Sequence, residues 1–372
     1  MAYDLIVVGS GLFGAVFARE AVDAGLRVLV LEKRGHIGGN SFSAPDAETG
    51  IEVHTYGTHI FHTDSPEVWA YVHRFSAFTG YQHRVLTSTG GKVFSMPINL
   101  ATINTFFGVS LRPSEVAAFM AARIPSIPEP RSLEEKAISL IGPELYEAFI
   151  KGYTVKQWGM DPRDLPASII TRLPVRYSYD DRYFNDRYQG MPVDGYGRMF
   201  ERILEGIPVE LNTNFLEDRE RWRSSCTSLV YTGPIDEYFD TVHGPLGWRS
   251  VRFEVERPAV ADHQGTSVMN YADPDVPYTR IHEPRHLHPE RRYTQEATVI
   301  IREYSYVDPK ERYYPVNTQR DRELLTRYEA LAAAERGVIF GGRLAEYKYY
   351  DMHHVIGSAL AKSKAFLRER SA

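Results

Sequence analysis

Residues 3–14 read YDLIVVGSGLFG, and this stretch decides the fold. Its β-branched apolar run predicts a buried strand that ends at Val8, directly before glycines at 9, 11 and 14. AVFAREAVDAG, residues 15–25, repeats apolar side chains at helical spacing and stops at Gly25; RVLVLE, 27–32, then predicts a second strand ending in Glu32. The order of strand, glycine turn, helix, strand and acid is that of a dinucleotide-binding unit. Gly9 turns the chain, Gly11 lets the backbone approach a pyrophosphate, and Gly14 permits close packing of helix on strand. The phosphates are expected on the unpaired N–H groups of the helix start. Glu32, 21 residues after Gly11, stands where a carboxylate accepts hydrogen bonds from a ribose. A lone glycine fingerprint is often only a tight strand-helix turn, but here every flanking element is in place.

The rest of the composition narrows the classes. The chain has 372 residues, 43% of them hydrophobic and 24% charged, with a formal net charge of -5. This is ordinary globular composition. It lacks the basic stripe of a nucleic-acid or anionic-membrane surface, so an anionic ligand has to be held by local arginines. A single cysteine, Cys226, excludes an internal disulfide and any thiolate metal cluster within one chain. MAYDLIVVGSG carries no basic leader, and no run reaches the roughly 18 apolar residues of a membrane span. The expected location is cytoplasmic, with no nucleic-acid and no membrane partner.

Further along, 66–80 predicts a helix, and VLTSTGGKVFSMP, 85–97, predicts a hairpin around Thr89, Gly90 and Gly91. Helical patterns dominate from about 100 to 160, interrupted by the proline-rich PSIPEPRS at 125–132. Tyr and Arg crowd residues 165–190, strand-like runs follow from 207 to 306, and GVIFGGR precedes a terminal helix from about Asp351. The expected fold is mixed α/β (α+β): a discontinuous Rossmann-like domain with an inserted helical bundle and an antiparallel sheet.

YGTHIFHTD, 56–64, with His54 just before it, offers three histidines. Zinc would need three or four converging ligands. His59 and His62 differ by an odd number and so do not share one strand face, and no second ligand cluster is present, so no metal is expected. His54 reads as a packed core residue.

EKRGHIGGN, 32–40, continues past the acid with Gly38 and Gly39, as in flavoproteins of the glutathione-reductase-like class. Together with GSGLFG, YGTHIFHTD, EEKAISLIGPELYEAFIKGYTVKQWG, ITRLPVRY, DVPYTRIHE, REYS, YYPVNT and YKYYDMH, it makes the chain resemble the UDP-galactopyranose mutase family over nearly its whole length. The resemblance implies FAD, active in its reduced form, and a UDP-sugar substrate. It implies a pyranose–furanose interconversion with no net redox change, in which reduced flavin N5 attacks the anomeric carbon, expels UDP and gives a flavin-sugar iminium. It also implies an external reductant such as NAD(P)H and a homodimer. Three parts are expected: an FAD domain (1–80, 190–245, 330–372), a helical bundle (98–160) and an antiparallel substrate domain (81–97, 161–189, 246–329).

Carried over by motif, Arg172 and Arg280 form the diphosphate clamp, suited to it by permanently charged guanidinium forks. His59 contacts the flavin and His62 lies behind it or near the sugar, both as candidate catalytic groups. The implied cofactor set adds Gly9, Gly11, Phe13, Gly14, Glu32, Lys33, Gly39, Asn40, Ile60, Arg343, Asp351, Met352 and His353. The implied substrate set is His83, Phe149, Tyr153, Thr154, Trp158, Tyr183, Asn270, Tyr314 and Tyr349, with Tyr153 and Phe149 at the uracil. By helical spacing alone, Tyr153 and Trp158 read as core.

The chain departs from the family pattern at Thr58, Ala345, Glu346 and Tyr350, and Pro245 and Arg252 also stand in less familiar places. An added carboxylate and phenol alter which hexose or nucleotide is accepted if they face the sugar, and change nothing if they point away. The alternatives are the same chemistry on another NDP-hexose, GDP- or dTDP-linked, a flavin amine oxidase-like oxidoreductase, or a non-catalytic sugar-nucleotide binder.

Overall fold

A computed structural model of the chain describes residues 2–170, 174–308 and 311–371. The opening stretch forms the strand Tyr3–Val8 and the helix Leu12–Asp23, with Val28–Leu31 returning parallel to the first strand. Cys226–Tyr231 pairs on the other side of Tyr3–Val8, Val338–Phe340 beyond it, and Val209–Glu210 beside Val28–Leu31. The result is a five-stranded parallel sheet built from four separated parts of the chain. Leu5, Ile6, Val7 and all of Val28–Leu31 are buried, as strands covered on both faces must be. Helix Leu12–Asp23 covers one face together with the terminal helix Met352–Ser371, and Phe17 meets Phe366 with ring centroids 5.7 Å apart.

The second sheet has seven strands, in the order Tyr314–Pro315, Trp248–Glu256, Ile300–Tyr306, Arg280–His282, Val268–Tyr271, Val85–Thr89 and Lys92–Met96. The expected hairpin is present, and both Gly90 and Gly91 have positive φ, as its two-residue turn requires. The sheet is antiparallel, as expected, at every pairing but one. Val268–Tyr271 pairs parallel with Val85–Thr89, because these strands come from distant parts of the chain and no hairpin dictates their sense.

Helices Leu100–Phe107, Pro113–Ala121 and Leu133–Ile141 precede a longer helical run, Pro143–Trp158, that is π-wound over Tyr146–Lys151. Their core is Leu100, Ile103, Val116, Met120, Leu133 and Leu145. The predicted helix 66–80 ends early, at Val72. Phe78 bridges Pro192 and Thr79 N–H donates to Met191 O (2.8 Å), so extended pairing with the 190–193 segment outcompetes the last helical turns. Among the described residues, no helix is long and apolar enough to cross a membrane.

Candidate functional site

The glycine turn separates into two kinds of position. Gly9 has φ +98°, and a Cβ there would lie 2.1 Å from Thr232 Oγ1; a Cβ at Gly14 would lie 1.9 Å from Gly9 O. Folding itself demands these two glycines. Gly11 is different: its φ of −66° suits any residue, and the nearest atom to an added Cβ is Gly39 Cα at 3.9 Å. Its bareness keeps the helix start open. No side chain caps that start and no acid occupies its first turn, so its N–H groups remain available to an anion. The second glycine run closes over the same place, since a Cβ at Gly39 would come within 3.0 Å of Gly11 Cα. Glu32 is buried, accepting from Ser10 N–H (2.9 Å), Ser10 O–H (2.7 Å) and Arg34 N–H (3.0 Å). This bare cradle with a fixed carboxylate fits a dinucleotide cofactor.

A polar cavity lies where the two sheets approach. Asn40, Tyr56, Gly57, Thr58, His59 and Arg343 line it from the side of the glycine cradle, and Arg280, His282, Glu303, Tyr313 and Tyr314 from the seven-stranded sheet. Strand periodicity explains the second group: Arg280 and His282 are two residues apart on one strand, and Arg280 pairs in register with Glu303 on the next. Glu303 is fully enclosed, with Arg280 Nε 3.1 Å from Oε1 and His282 Nε2 3.0 Å from Oε2. Burial pushes the Glu303 carboxyl up, but the Arg280 charge and the His282 hydrogen bond outweigh it and bring it down to about 2. Burial likewise opposes the charged form of Arg280, and the Glu303 carboxylate outweighs it. The far end of the guanidinium donates to the Tyr153 hydroxyl.

The three histidines do not converge. His59 N–H donates to His54 Nδ1 (3.0 Å), and His59 Nδ1–H donates to Gly57 O (2.7 Å), which leaves Nε2 as an acceptor. Burial holds His59 neutral, lowering it to about 4. His62 instead bonds Asp186 through Nδ1 (2.9 Å) and stacks on Phe184 at 3.6 Å. His353 meets the edge of His62, with ring centroids 4.9 Å apart. His83 is buried beside Tyr81 and Tyr183, and burial lowers it to about 3.

Of the remaining expected residues, Tyr314 and Tyr349 stack with centroids 5.6 Å apart. Burial raises the Tyr153 and Tyr314 hydroxyls, so both stay protonated donors. Asn270 pairs with Arg280 on the adjoining strand. Phe13, Ile60 and Met352 belong to the core beneath the cradle, and Lys33 is exposed. Phe149 is not at the cavity: it is buried against Phe94 and Phe106, and Thr154 is buried as well. Trp158 and Tyr183 pack partly buried on the helical core. Asp351 lies 3.6 Å from His354 Nδ1. Arg172 lies outside the described residues. Glu346, which the sequence left open between facing the sugar and pointing away, accepts from Gly342 N–H (3.1 Å) and Lys362 Nζ (3.0 Å).

Reading the sequence missed Glu303, His282 and Lys156. Two basic side chains alternating in a strand, RIH, demand a buried acid opposite, and that was the available signal. Lys156 donates to the carbonyls of Tyr271, Asp273, Val276 and Tyr278 at 2.7–3.1 Å. A Cβ at Gly152 would lie 2.2 Å from Ala272 O, so one helix face clasps the loop that leads into Arg280. Burial lowers Lys156 to about 8.

Comparison with known proteins agrees with this architecture. The profile of the UDP-galactopyranose mutase family matches residues 148–349, and that of an NAD(P)-binding Rossmann-like domain matches 7–75. A probable UDP-galactopyranose mutase of Klebsiella pneumoniae is 44% identical, over 98% of this chain and 94% of its own. A dTDP-fucopyranose mutase of Escherichia coli is 37% identical over 98% of both chains. A reduced UDP-galactopyranose mutase crystal structure, 14% identical, superposes with a TM-score of 0.77 over 98% of this chain and 95% of that one, a likeness of fold.

Proposed function

Because the chain belongs to the UDP-galactopyranose mutase family, we propose that it interconverts UDP-galactopyranose and UDP-galactofuranose without net redox change, using FAD in its reduced state. The observation that carries this reading is a shared cavity in which Asn40, His59 and Arg343, adjoining the glycine cradle, face Arg280 and Tyr314. Bound there in reduced form, FAD supplies a nucleophilic nitrogen to the anomeric carbon.

The protein's own groups manage charge and position. The Gly9–Gly14 turn and its helix receive the cofactor pyrophosphate, and Glu32 the ribose. Departure of UDP concentrates negative charge on the diphosphate, which Arg280 meets with a fork that Glu303 and Tyr153 hold in place. Arg172 is assigned the second arm of the clamp. Tyr314 and Tyr349 offer protonated hydroxyls to phosphate or sugar. His59, neutral and with Nε2 free to accept, adjusts a proton on the cofactor side, and His62, oriented by Asp186, stands behind it. An external reductant such as NAD(P)H, a homodimer and a cytoplasmic location complete the proposal.

The likeness to a dTDP-fucopyranose mutase favours one second reading, the same chemistry on a dTDP-linked or other NDP-hexose. Parallel incubation of the reduced enzyme with UDP-galactofuranose and dTDP-fucofuranose, followed by chromatography, separates the two. Faster turnover of the UDP sugar supports the proposal, and exclusive turnover of the dTDP sugar replaces its substrate.

A further inference from the structure

Thr58 Oγ1 lies 2.7 Å from His282 Nδ1, and Thr58 precedes His59 on the cofactor side while His282 stands on the substrate sheet. The direction of this hydrogen bond follows from the other side of the ring. A carboxylate only accepts, so the proton of neutral His282 is on Nε2, directed at Glu303 3.0 Å away. Nδ1 therefore presents a lone pair, and the Thr58 hydroxyl donates to it. A continuous line of partners results: Thr58, His282, Glu303, Arg280, Tyr153.

We propose that Thr58 is a positioning residue which, by donating to His282 Nδ1, keeps that ring in the neutral form whose Nε2–H meets Glu303 Oε2 and leaves Oε1 to Arg280. If Nδ1 takes up a proton, the ring becomes an imidazolium whose Nε2–H binds Glu303 Oε2 far more strongly and draws the carboxylate's charge away from the guanidinium at Oε1. His282 is 1% exposed and Glu303 2%, so neither can turn to water instead. The groups facing the ring are Glu303 from the neighbouring strand, Arg280 from its own, His54 and His59 from the cofactor side, and His83 ahead of the hairpin. Phe253 covers its edge at 6.4 Å. Glu303 alone favours a charged ring. Burial and Arg280 oppose it, and the Thr58 hydroxyl, which occupies the lone pair that a proton would need, is the part that mutation can remove without touching the ion pair.

The test uses the full-length FAD-bound enzyme with labelled histidine, His282 being assigned by its loss in His282→Gln. In Thr58→Val, the apparent pKa of His282 rises by about one unit as its lone pair is released. Thr58→Ser keeps the donor and returns the original titration. The inference rests on the proposed function for its second readout: in Thr58→Val, kcat gains an acidic limb at the pH where His282 titrates, absent in the parent and in Thr58→Ser. Identical titrations in the parent and Thr58→Val, a Thr58→Ser that behaves as Thr58→Val, or a shifted titration without the limb would each overturn it. A parent enzyme inactive on every sugar nucleotide would instead overturn the functional reading, and the titration would then decide the inference by itself.

Discussion

Arg280 and Glu303 stand opposite each other on neighbouring antiparallel strands, guanidinium Nε 3.1 Å from carboxylate Oε1, with the carboxylate buried and the guanidinium reaching the cavity. The sheet thus supplies both the cation and its tether. Arg280→Ala is expected to lower kcat by roughly 10²- to 10³-fold, the scale of losing one donor to developing charge. Arg280→Lys recovers only part of this, because an ammonium keeps the charge and loses the planar fork. Equal activity of the Lys variant and the parent enzyme would remove the bidentate role.

The same pair makes a prediction about acid stability. The Glu303 carboxyl is lowered from its ordinary 4.5 to about 2 in the folded protein. Its contribution is therefore complete above about pH 4.5 and is lost as the pH falls through 2. Melting temperatures of Glu303→Gln, lower than the parent at neutral pH, converge on it across that window. A constant offset would mean that the carboxylate charge does not stabilise the fold.

Histidine burial acts at higher pH. Burial lowers His59 from 6.5 to about 4, so the folded form binds fewer protons than the unfolded chain between those values. Stability is full above 6.5 and declines as the pH drops to 4. Replacing His59 with Gln flattens the thermal-melt slope between pH 6.5 and 5; an unchanged slope would show that His59 is not the group being titrated.

The glycine turn offers a discriminating pair of variants. Gly14→Ala places a methyl 1.9 Å from Gly9 O and is expected to prevent folding. Gly11→Ala meets nothing closer than 3.9 Å, so it folds with near-parental circular dichroism yet retains less flavin, read from absorbance near roughly 450 nm. Full flavin content in Gly11→Ala would move the pyrophosphate elsewhere.

Lys156 supplies a prediction outside the cavity. Its four carbonyl partners span Tyr271 to Tyr278, just ahead of Arg280. Lys156→Met leaves those acceptors unmet, costing about 1–3 kcal/mol, and raises KM more than it lowers kcat. Steady-state kinetics with the sugar nucleotide check the split.

Much of this was legible in the sequence because it is local. The strand, glycine turn, helix and second strand of residues 3–32 follow one another in space as in the chain, and Gly90–Gly91 closes the hairpin it predicts. What escaped was set by pairing between distant segments. The parallel union of Val268–Tyr271 with Val85–Thr89 joins residues about 180 apart, and no local pattern encodes its direction. Glu303 and His282 become a unit only through strand register, and Thr58 joins them across 224 positions. For Glu346 the neighbours in sequence left both the pocket and the exterior open, and the fold delivers Lys362 to it from the terminal helix.

The proposed isomerisation, which needs a reduced cofactor but consumes no reducing equivalents, stands or falls on one paired incubation. The FAD-loaded enzyme is given UDP-galactofuranose with and without dithionite, and products are separated by chromatography and weighed by mass spectrometry. UDP-galactopyranose of unchanged mass is expected in the reduced sample and almost none in the oxidised one. An oxidised sugar product formed with oxygen consumption, or no isomer under reduction from any NDP-hexose, would contradict it.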